Sequence, residues 1–231
     1  TPSVYGLGTV AFEDLWPAKG DYDFNDLVVN YKFITIANAQ DEVVEMKAQF
    51  TVKNLGGSLH NGFGFRMPFD KSIVSSVTGN QLTEGIVEVD ENGLEANQQD
   101  PVVIVTEDAF LIHGETIEIT IAFTNPTDPE VIGLPPFDPF IFIGGDRGRE
   151  LHLSGYEPTD LIDASFYGQD QDASNPGGGS YFKSINHLPW AIHIIHDFTY
   201  PIEKAAVNQA YLKFNRWAES GGSEYPDWYK D

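Results

Sequence analysis

The sequence contains no cysteine, which excludes a disulfide scaffold, a thiolate metal site and catalysis by a cysteine nucleophile. Basic residues are also scarce, since 13 Lys and Arg stand against 35 Asp and Glu and give a formal net charge of −22. A chain of this charge repels nucleic acid and anionic lipid, so we expect neither as a partner. No apolar run approaches the roughly 20 residues of a membrane-spanning helix, and we expect no transmembrane segment.

The chain does have enough apolar sequence for a large core, because 41% of its 231 residues are hydrophobic and 13% are aromatic. Runs rich in Val, Ile, Tyr and Phe recur between clusters of Gly, Asn, Asp and Pro, a spacing typical of a sandwich. The predicted strands are 9–12, 26–36, 43–53, 60–67, 73–77, 85–89, 102–105, 116–123, 140–145 and 151–153. We therefore predict a mainly β fold, an antiparallel β-sandwich of jelly-roll-like type with long loops, as a single domain over residues 1–231.

One C-terminal α-helix is predicted over about residues 202–219. Pro201 suits the first turn, Glu203 complements the positive end of the helix dipole, and Gly221 follows the end. The apolar stripe of this helix consists of Val207, Ala210, Tyr211, Phe214 and Trp217. Such a stripe is typical of core packing, so we expect the helix to cap one side or end of the β structure.

Candidate functional side chains are most concentrated in residues 13–26, which we call the acidic turn. This segment holds five carboxylates, several aromatic residues and a single basic residue, Lys19. Acid groups and core aromatics must therefore share one small volume, and the acids need a positive partner. The alternative is that they are ordinary turn acids, solvated at the surface.

Asp21, Asp23 and Asn25 place hard oxygen ligands at alternate positions, the spacing that opens an EF-hand loop and suits Ca²⁺. The loop is not an EF-hand, because Asp26 occupies the sixth position, where an EF-hand requires glycine. We predict instead a calcium-binding turn that leads straight into a strand. Its predicted ligands are Glu13, Asp14, Asp21, Asp23, Asn25 and Asp26. Ca²⁺ is favoured over Mg²⁺ because the ligands are many and come from one flexible turn, and zinc is disfavoured because Cys is absent and no His pair lies near.

Residues 8–14 and 21–28 resemble the signature of the LruC domain, a family of bacterial envelope-associated domains. Further stretches that fit its pattern are 60–65, 138–141, 189–191, 200–203 and 227–229. The resemblance covers nearly the whole chain, and its first block is the specific one. It implies a secreted or surface-exposed module, often C-terminal in a longer lipoprotein of Bacteroidetes, spirochaetes or some marine Gram-negative bacteria, with no established enzymatic activity.

Three functions are compatible with these features. The first is a non-catalytic, calcium-stabilised module for adhesion or for glycan or protein binding, extracytoplasmic, monomeric, with any lipid anchor outside this sequence. The second is a glycoside hydrolase or lyase with paired carboxylates, although no carboxylate stands in an apolar sequence neighbourhood that would raise its pKa. The third is a structural spacer within a larger envelope protein.

Recognition of a glycan would need exposed aromatic residues, and the candidates are Trp16, Trp190 and Trp228. Residues 160–180 are polar and Gly-rich, so we expect a mobile loop that could also carry recognition. Residues 144–149 lack the ending of a phosphate loop and are predicted to form a β-turn. His193 and His196 lie three apart on a predicted strand and so point to opposite faces, which favours structural roles.

Overall fold

In the computed structural model, which describes residues 2–201 and 204–230, two antiparallel sheets pack face to face. The strands are β1 (Pro2–Phe12), β2 (Leu27–Ala37), β3 (Val43–Asn54), β4 (Gly62–Arg66), β5 (Val74–Thr78), β6 (Val102–Thr106), β7 (Thr116–Thr127), β8 (Asp138–Phe142), β9 (Glu150–His152) and β10 (Ala191–Ile194). The larger sheet has the order β10-β1-β2-β3-β7-β5 and the smaller one β6-β4-β8-β9. The predicted mainly β, antiparallel sandwich is confirmed.

The main core lies between the two sheets and is dominated by phenylalanine. Phe33 on β2 meets Phe65 on β4 with ring centroids 5.7 Å apart, and Phe50 on β3 meets Phe63 at 5.2 Å. Both pairs cross from one sheet to the other in edge-to-face geometry, which aromatic quadrupoles favour. These contacts fix the two sheets against each other.

The larger sheet is covered on its outer face as well, at the end formed by β10, β1 and β2. Because successive side chains on a strand alternate, Val10 and Phe12 face the main core while Ala11 faces a second apolar cluster. The C-terminal segment supplies most of that second cluster, including Phe214 and Trp228, both buried. We call the buried residues that this segment supplies the C-terminal cluster: Phe198, Val207, Phe214 and Trp228.

Three short α-helices are present among the described residues: α1 (Pro129–Ile132), α2 (Val207–Ala210) and α3 (Phe214–Glu219). The prediction of one continuous helix over 202–219 is wrong, because the chain is extended at Tyr211 (φ −127°, ψ 96°) between α2 and α3. The Tyr211 hydroxyl donates to the Thr199 carbonyl at 2.8 Å, and its ring packs edge-on against Trp228 at 5.3 Å. These contacts compete with a helical turn there. Ile202 and Glu203 lie outside the described residues.

The predicted capping role of this segment is confirmed, since Val207 and Phe214 are fully buried against the sheet. Among the described residues, no helix has the length and apolarity that crossing a membrane requires.

The prediction of a strand over 85–89 is wrong. Four consecutive backbone N–H groups, from Glu84 to Val87, donate to the two carboxylate oxygens of the buried Glu107 at 2.6–3.2 Å. Backbone donors that converge on one carboxylate cannot also point alternately sideways into a sheet ladder. The side chain of Glu107 therefore replaces a neighbouring strand as the acceptor.

Residues 160–180 form a covering layer on the core, which differs from the free surface loop that the sequence predicts. Phe166 and Tyr167 pack against the ring of Trp16 with centroids 5.7 and 6.1 Å away. The buried carboxylate of Asp172 accepts a hydrogen bond from Trp16 Nε1 at 3.1 Å. Residues 160–180 therefore fix the side chain of Trp16, which belongs to the acidic turn.

Candidate metal centre

The acidic turn joins β1 to its neighbour β2 at one end of the larger sheet. Glu13 directly follows β1, and its N–H donates to the carbonyl of Trp190 at 2.8 Å, which continues the pairing toward β10. The turn closes at Leu27, the partner of Phe12 in the β1–β2 ladder. Both ends of the segment are therefore fixed by the sheet.

The Glu13 carboxylate organises the turn from its centre. It is fully buried, and its two oxygens accept hydrogen bonds from Tyr22 N–H at 3.1 Å and Phe24 N–H at 2.6 Å. Tyr22 and Phe24 both have left-handed backbone (φ 60° and 51°), an uncommon conformation for aromatic residues that these bonds help to hold. A Cβ added at Gly20 would collide with Glu13 Oε2, so a larger residue there would displace the carboxylate.

Three of the predicted ligands converge. Glu13, Asp21 and Asp23 each offer one carboxylate oxygen, and these oxygens all lie within 4.8 Å of one another. Since Ca²⁺ binds oxygen at 2.3–2.6 Å, one ion could contact all three. Glu13 and Asp23 are buried and Asp21 is exposed, so the group opens to solvent on the Asp21 side.

Asp23 is held in place by two backbone donors. Its Oδ1 accepts from Asn25 N–H at 3.2 Å and its Oδ2 from Lys204 N–H at 2.7 Å. Val207 N–H also donates to Tyr22 O at 2.5 Å, and the rings of Phe24 and Phe214 lie 5.6 Å apart. The C-terminal cluster thus packs directly on the acidic turn.

Asp14 and Asp26 form the adjoining half of the turn. Asp26 Oδ2 accepts from the N–H of Asp14 at 2.9 Å, and Asp14 Oδ2 accepts from Asn61 Nδ2 at 2.8 Å. Both carboxylates face Gly57, where an added Cβ would lie 2.6 Å from Asp14 Oδ2 and 3.1 Å from Asp26 Oδ1. The acids thus extend as one continuous group from Asp21 to this glycine.

Asn25, the remaining predicted ligand, lies against a different segment. Its carbonyl accepts from Asn54 Nδ2 at 2.7 Å and from Gly56 N–H at 2.9 Å, and its side chain packs on Gly56. In the sequence, Asn61 followed by glycine is typical of a turn or bulge, with a ligand or a carbohydrate contact as the alternative, and its link to the acidic turn was not predicted. This buried side chain links Asp14 to Gly144, whose N–H donates to Asn61 Oδ1 at 3.1 Å.

Burial disfavours ionisation of these acids. It raises the pKa of Glu13 to about 8, with a further contribution from Asp26, although backbone donors oppose the shift. Burial, together with the charge of Asp14, raises the pKa of Asp26 to about 7. The pKa of Asp14 is raised in the same way. The expectation that no carboxylate has surroundings that raise its pKa is therefore wrong.

No lysine or arginine neutralises this half of the turn within the described ranges, where Glu13, Asp14 and Asp26 form no ion pair. Arg149 affects Asp14 only through a longer-range charge interaction, since its guanidinium donates to the carbonyl of Trp16. The arrangement can therefore offer several buried, mutually repelling oxygens to a cation from solution.

A second group of buried carboxylates, which we call the charge-balanced network, has the opposite character. Its members are Arg66, Glu95, Asp138, Arg147, Glu150 and His152, three acids and three basic groups. Arg147 binds both oxygens of Glu95 at 2.5 and 2.6 Å and reaches Glu150 Oε1 at 2.5 Å. Such bidentate pairing is the strongest geometry for these groups.

His152 is fully buried between two carboxylates of this network. Its Nδ1 lies 3.0 Å from Asp138 Oδ1 and its Nε2 lies 3.0 Å from Glu150 Oε2. Burial alone would lower the pKa of His152, but Asp138 and Glu150 outweigh burial and raise it. For Glu150, burial is outweighed first by His152 and then by Arg147 and Thr159, which together lower its pKa to about 2. Sequence reasoning missed this network, although the predicted β-turn at 144–149 that delivers Arg147 is present.

The tryptophans chosen as glycan contacts are not available. Trp16, Trp190 and Trp228 are at most 1% exposed, whereas the fourth tryptophan, Trp217, is only partly buried. His193 is half-buried and contacts the Tyr31 hydroxyl through Nε2 at 2.6 Å, and burial lowers its pKa to about 4. This placement agrees with the structural role predicted for His193.

A family model described as "Domain of unknown function (DUF4842)" matches residues 41–229, a range that begins after the acidic turn. A crystal structure described as a "Putative lipoprotein from Bacteroides ovatus" is similar over 100% of this chain and 74% of its own, with a TM-score of 0.68 and 16% identity. At this identity the similarity shows a shared fold. No curated protein matches the chain.

Proposed function

The chain belongs to the DUF4842 family, a domain of unknown function, and we propose that it is a calcium-stabilised, non-catalytic binding module of an extracytoplasmic protein. The observation that carries this proposal is the convergence of oxygens from Glu13, Asp21 and Asp23 within 4.8 Å of one another. Asp14 and Asp26 adjoin them, and within the described ranges neither they nor Glu13 form ion pairs. A divalent cation would supply the missing positive charge.

The donor set favours Ca²⁺ among the common metals. All the candidate donors are oxygens, which suit hard cations, and the converging group contains no histidine or cysteine. The exposed Asp21 leaves room for waters to complete six to eight ligands, the number that Ca²⁺ takes. The ion would join the turn between β1 and β2 to Lys204 of the C-terminal segment, which already donates to Asp23.

A binding role without catalysis is supported by how the buried carboxylates are engaged. Both oxygens of Glu13 accept backbone hydrogen bonds, and Glu107 accepts four. Glu95 and Glu150 are buried against Arg147. Each of these acids holds the fold, which leaves none of them placed to transfer a proton to a substrate. The proposed extracytoplasmic location is supported by the LruC resemblance and by the fold shared with the lipoprotein.

The test is a thermal melt in EDTA and in millimolar Ca²⁺. Ca²⁺ at 100 times its dissociation constant should add about 2.7 kcal/mol to the free energy of unfolding. Mg²⁺ at the same concentration should add less, because it demands a stricter octahedral geometry.

Asp21→Asn is the matched variant, since Asp21 is exposed and the fold should tolerate the change. It should reduce the calcium response, whereas Asp41→Asn, at an exposed turn position with φ 62° that Asn also accepts, should leave it intact. Identical melting temperatures in EDTA and Ca²⁺ for the wild-type protein would refute the calcium proposal.

A further inference from the structure

A cavity of about 270 Å³ lies outside the acidic turn, where β10, the loop after β9, residues 183–189 and the end of α3 meet. It shares no lining residue with the acidic turn or the charge-balanced network. Its volume is just below the range of about 300–1,000 Å³ that drug-sized ligands occupy, so it suits a ligand of one ring.

The charge of this cavity is opposite to that of the whole protein. Although the chain carries 35 Asp and Glu, none of those within residues 2–201 and 204–230 lines it, whereas Lys183, His187 and His193 do. Burial lowers the pKa of His193 to about 4, so His193 is neutral at pH 7, whereas Lys183 carries a positive charge. Across the ranges that the structure describes, Lys183 Nζ forms no ion pair or hydrogen bond. A lysine without an ion pair in the lining of a cavity suits an anionic ligand.

The walls of the cavity combine aromatic faces with polar groups. Tyr156, which is 42% exposed, and Trp217 both line the cavity, and Trp217 packs on Trp228 and Phe214 with ring centroids 5.4 and 5.6 Å away. Gly222, another lining residue, lies against the Trp217 indole, where an added Cβ would be 3.5 Å from Nε1. Rings with one apolar face and one polar edge suit a ligand of the same kind, such as a sugar with C–H faces and hydroxyl edges.

From the charge and the aromatic lining together, we propose that this cavity binds a carboxylate-bearing sugar residue, a uronic acid unit of a glycan. Lys183 binds the carboxylate, and Trp217 and Tyr156 contact the ring. The inference names the ligand class of the binding role proposed above and rests on that role. It does not depend on calcium, because no residue of the acidic turn lines the cavity.

The experiment follows the tryptophan indole N–H signals of the ¹⁵N-labelled protein by NMR. Trp16 and Trp190 donate their indole N–H groups to Asp172 and to the Ala18 carbonyl, and both rings are buried, so their signals serve as internal references. Sodium glucuronate should shift the Trp217 signal saturably, with the signal assigned by Trp217→Phe. Glucose, and sodium acetate at equal ionic strength, should not.

Lys183→Gln should weaken glucuronate binding roughly tenfold, the loss expected for one hydrogen bond to a charged group. Lys32→Gln, a partly exposed lysine on β2 outside the cavity, is the matched control and should bind as the wild type does. A normal melting temperature for both variants shows that the fold is intact.

An equal response to glucose, a response to acetate that equals the response to glucuronate, or no loss in Lys183→Gln would each overturn the inference. So would the absence of any saturable shift with glucuronate. If glucuronate binds but Ca²⁺ does not change the melting temperature, only the calcium proposal is refuted. A calcium response without glucuronate binding would refute this inference alone.

Discussion

The acidic turn and the charge-balanced network both place carboxylates in the interior at the ends of strands, yet they differ in their ion pairs. The network pairs its acids with Arg147 and His152, whereas Glu13, Asp14 and Asp26 of the turn form no ion pair within the described ranges. In the network, Arg147 and His152 lie within 3.0 Å of carboxylate oxygens, and the pKa of Glu150 falls to about 2. In the turn, burial raises the pKa of Glu13 to about 8. The same residue types therefore have opposite electrostatic states, determined by their neighbours.

This difference separates two ways of stabilising a buried carboxylate. A partner within the chain neutralises the acid as soon as the chain folds, whatever the solution contains. An acid without such a partner makes folding depend on what the solution supplies, which is the physical basis of metal-linked stability. Near neutral pH the network should therefore stabilise the fold with or without a metal ion, and the turn only when a suitable cation is present.

Loss of the internal cation should have the largest effect. Arg147→Met leaves Glu95 and Glu150 buried without their guanidinium, which should cost about 3 to 5 kcal/mol of unfolding free energy. Because the network does not involve the proposed metal, the loss should be equal in EDTA and in Ca²⁺. Urea unfolding in both buffers measures it.

Arg216→Met is the control for this change, because Arg216 is exposed on α3 and should alter stability by no more than about 0.5 kcal/mol. A cost for Arg147→Met that disappears on adding Ca²⁺ would show that the two regions are not independent.

The contact between the C-terminal cluster and the acidic turn gives a second test. Phe214 is fully buried and packs on Phe24, so Phe214→Ala should cost about 3 to 5 kcal/mol. Because Phe24 N–H donates to Glu13, calcium affinity should fall as well. Calorimetric titration of Ca²⁺ measures the affinity, and an affinity equal to that of the wild type would show that the cluster does not shape the turn.

The network should also determine stability in acid. The pKa of Glu150 is lowered from 4.5 to about 2, so between these pH values the folded state binds fewer protons than the unfolded state. The ionised Glu150 carboxylate contributes on the order of 3 kcal/mol to the free energy of unfolding. This contribution is complete above pH 4.5 and is lost as the pH falls toward 2. Glu150→Gln should therefore flatten the fall in urea midpoint from pH 4.5 to 3.

Glu91→Gln, at an exposed position, should retain the slope of the wild-type protein. If the Glu150 variant shows the same slope as well, the acid sensitivity does not arise from the network.

The sequence was sufficient to predict the sandwich and the acidic turn, because both depend on local pattern. Alternating Val, Ile and Phe mark the strands, and five acids within residues 13–26 are visible without a structure. The network was not predictable, since Arg147 joins Glu150, three residues later, to Glu95, 52 residues earlier in the chain. The strand prediction at 85–89 failed for the same reason, because the backbone N–H groups there donate to Glu107, about twenty residues later.

The break between α2 and α3 also lies beyond sequence pattern. The stripe of Val207, Tyr211 and Phe214 has helical spacing, but Tyr211 leaves the helix to contact Trp228 and Thr199. Helix propensity is weak enough that tertiary contacts of this kind override it. For Trp16 and Trp190, burial is decided by which loop covers them, and hydrophobicity alone does not distinguish a covered ring from an exposed one.

The most direct test of the central account is the metal content of the protein as purified without chelator. Elemental analysis by mass spectrometry should find calcium at about one ion per chain after desalting, and Asp23→Ala, which removes a buried member of the converging group, should lose it. The Arg147→Met protein should retain its calcium. Absence of calcium from the wild-type protein, together with no uptake when Ca²⁺ is added, would contradict the account.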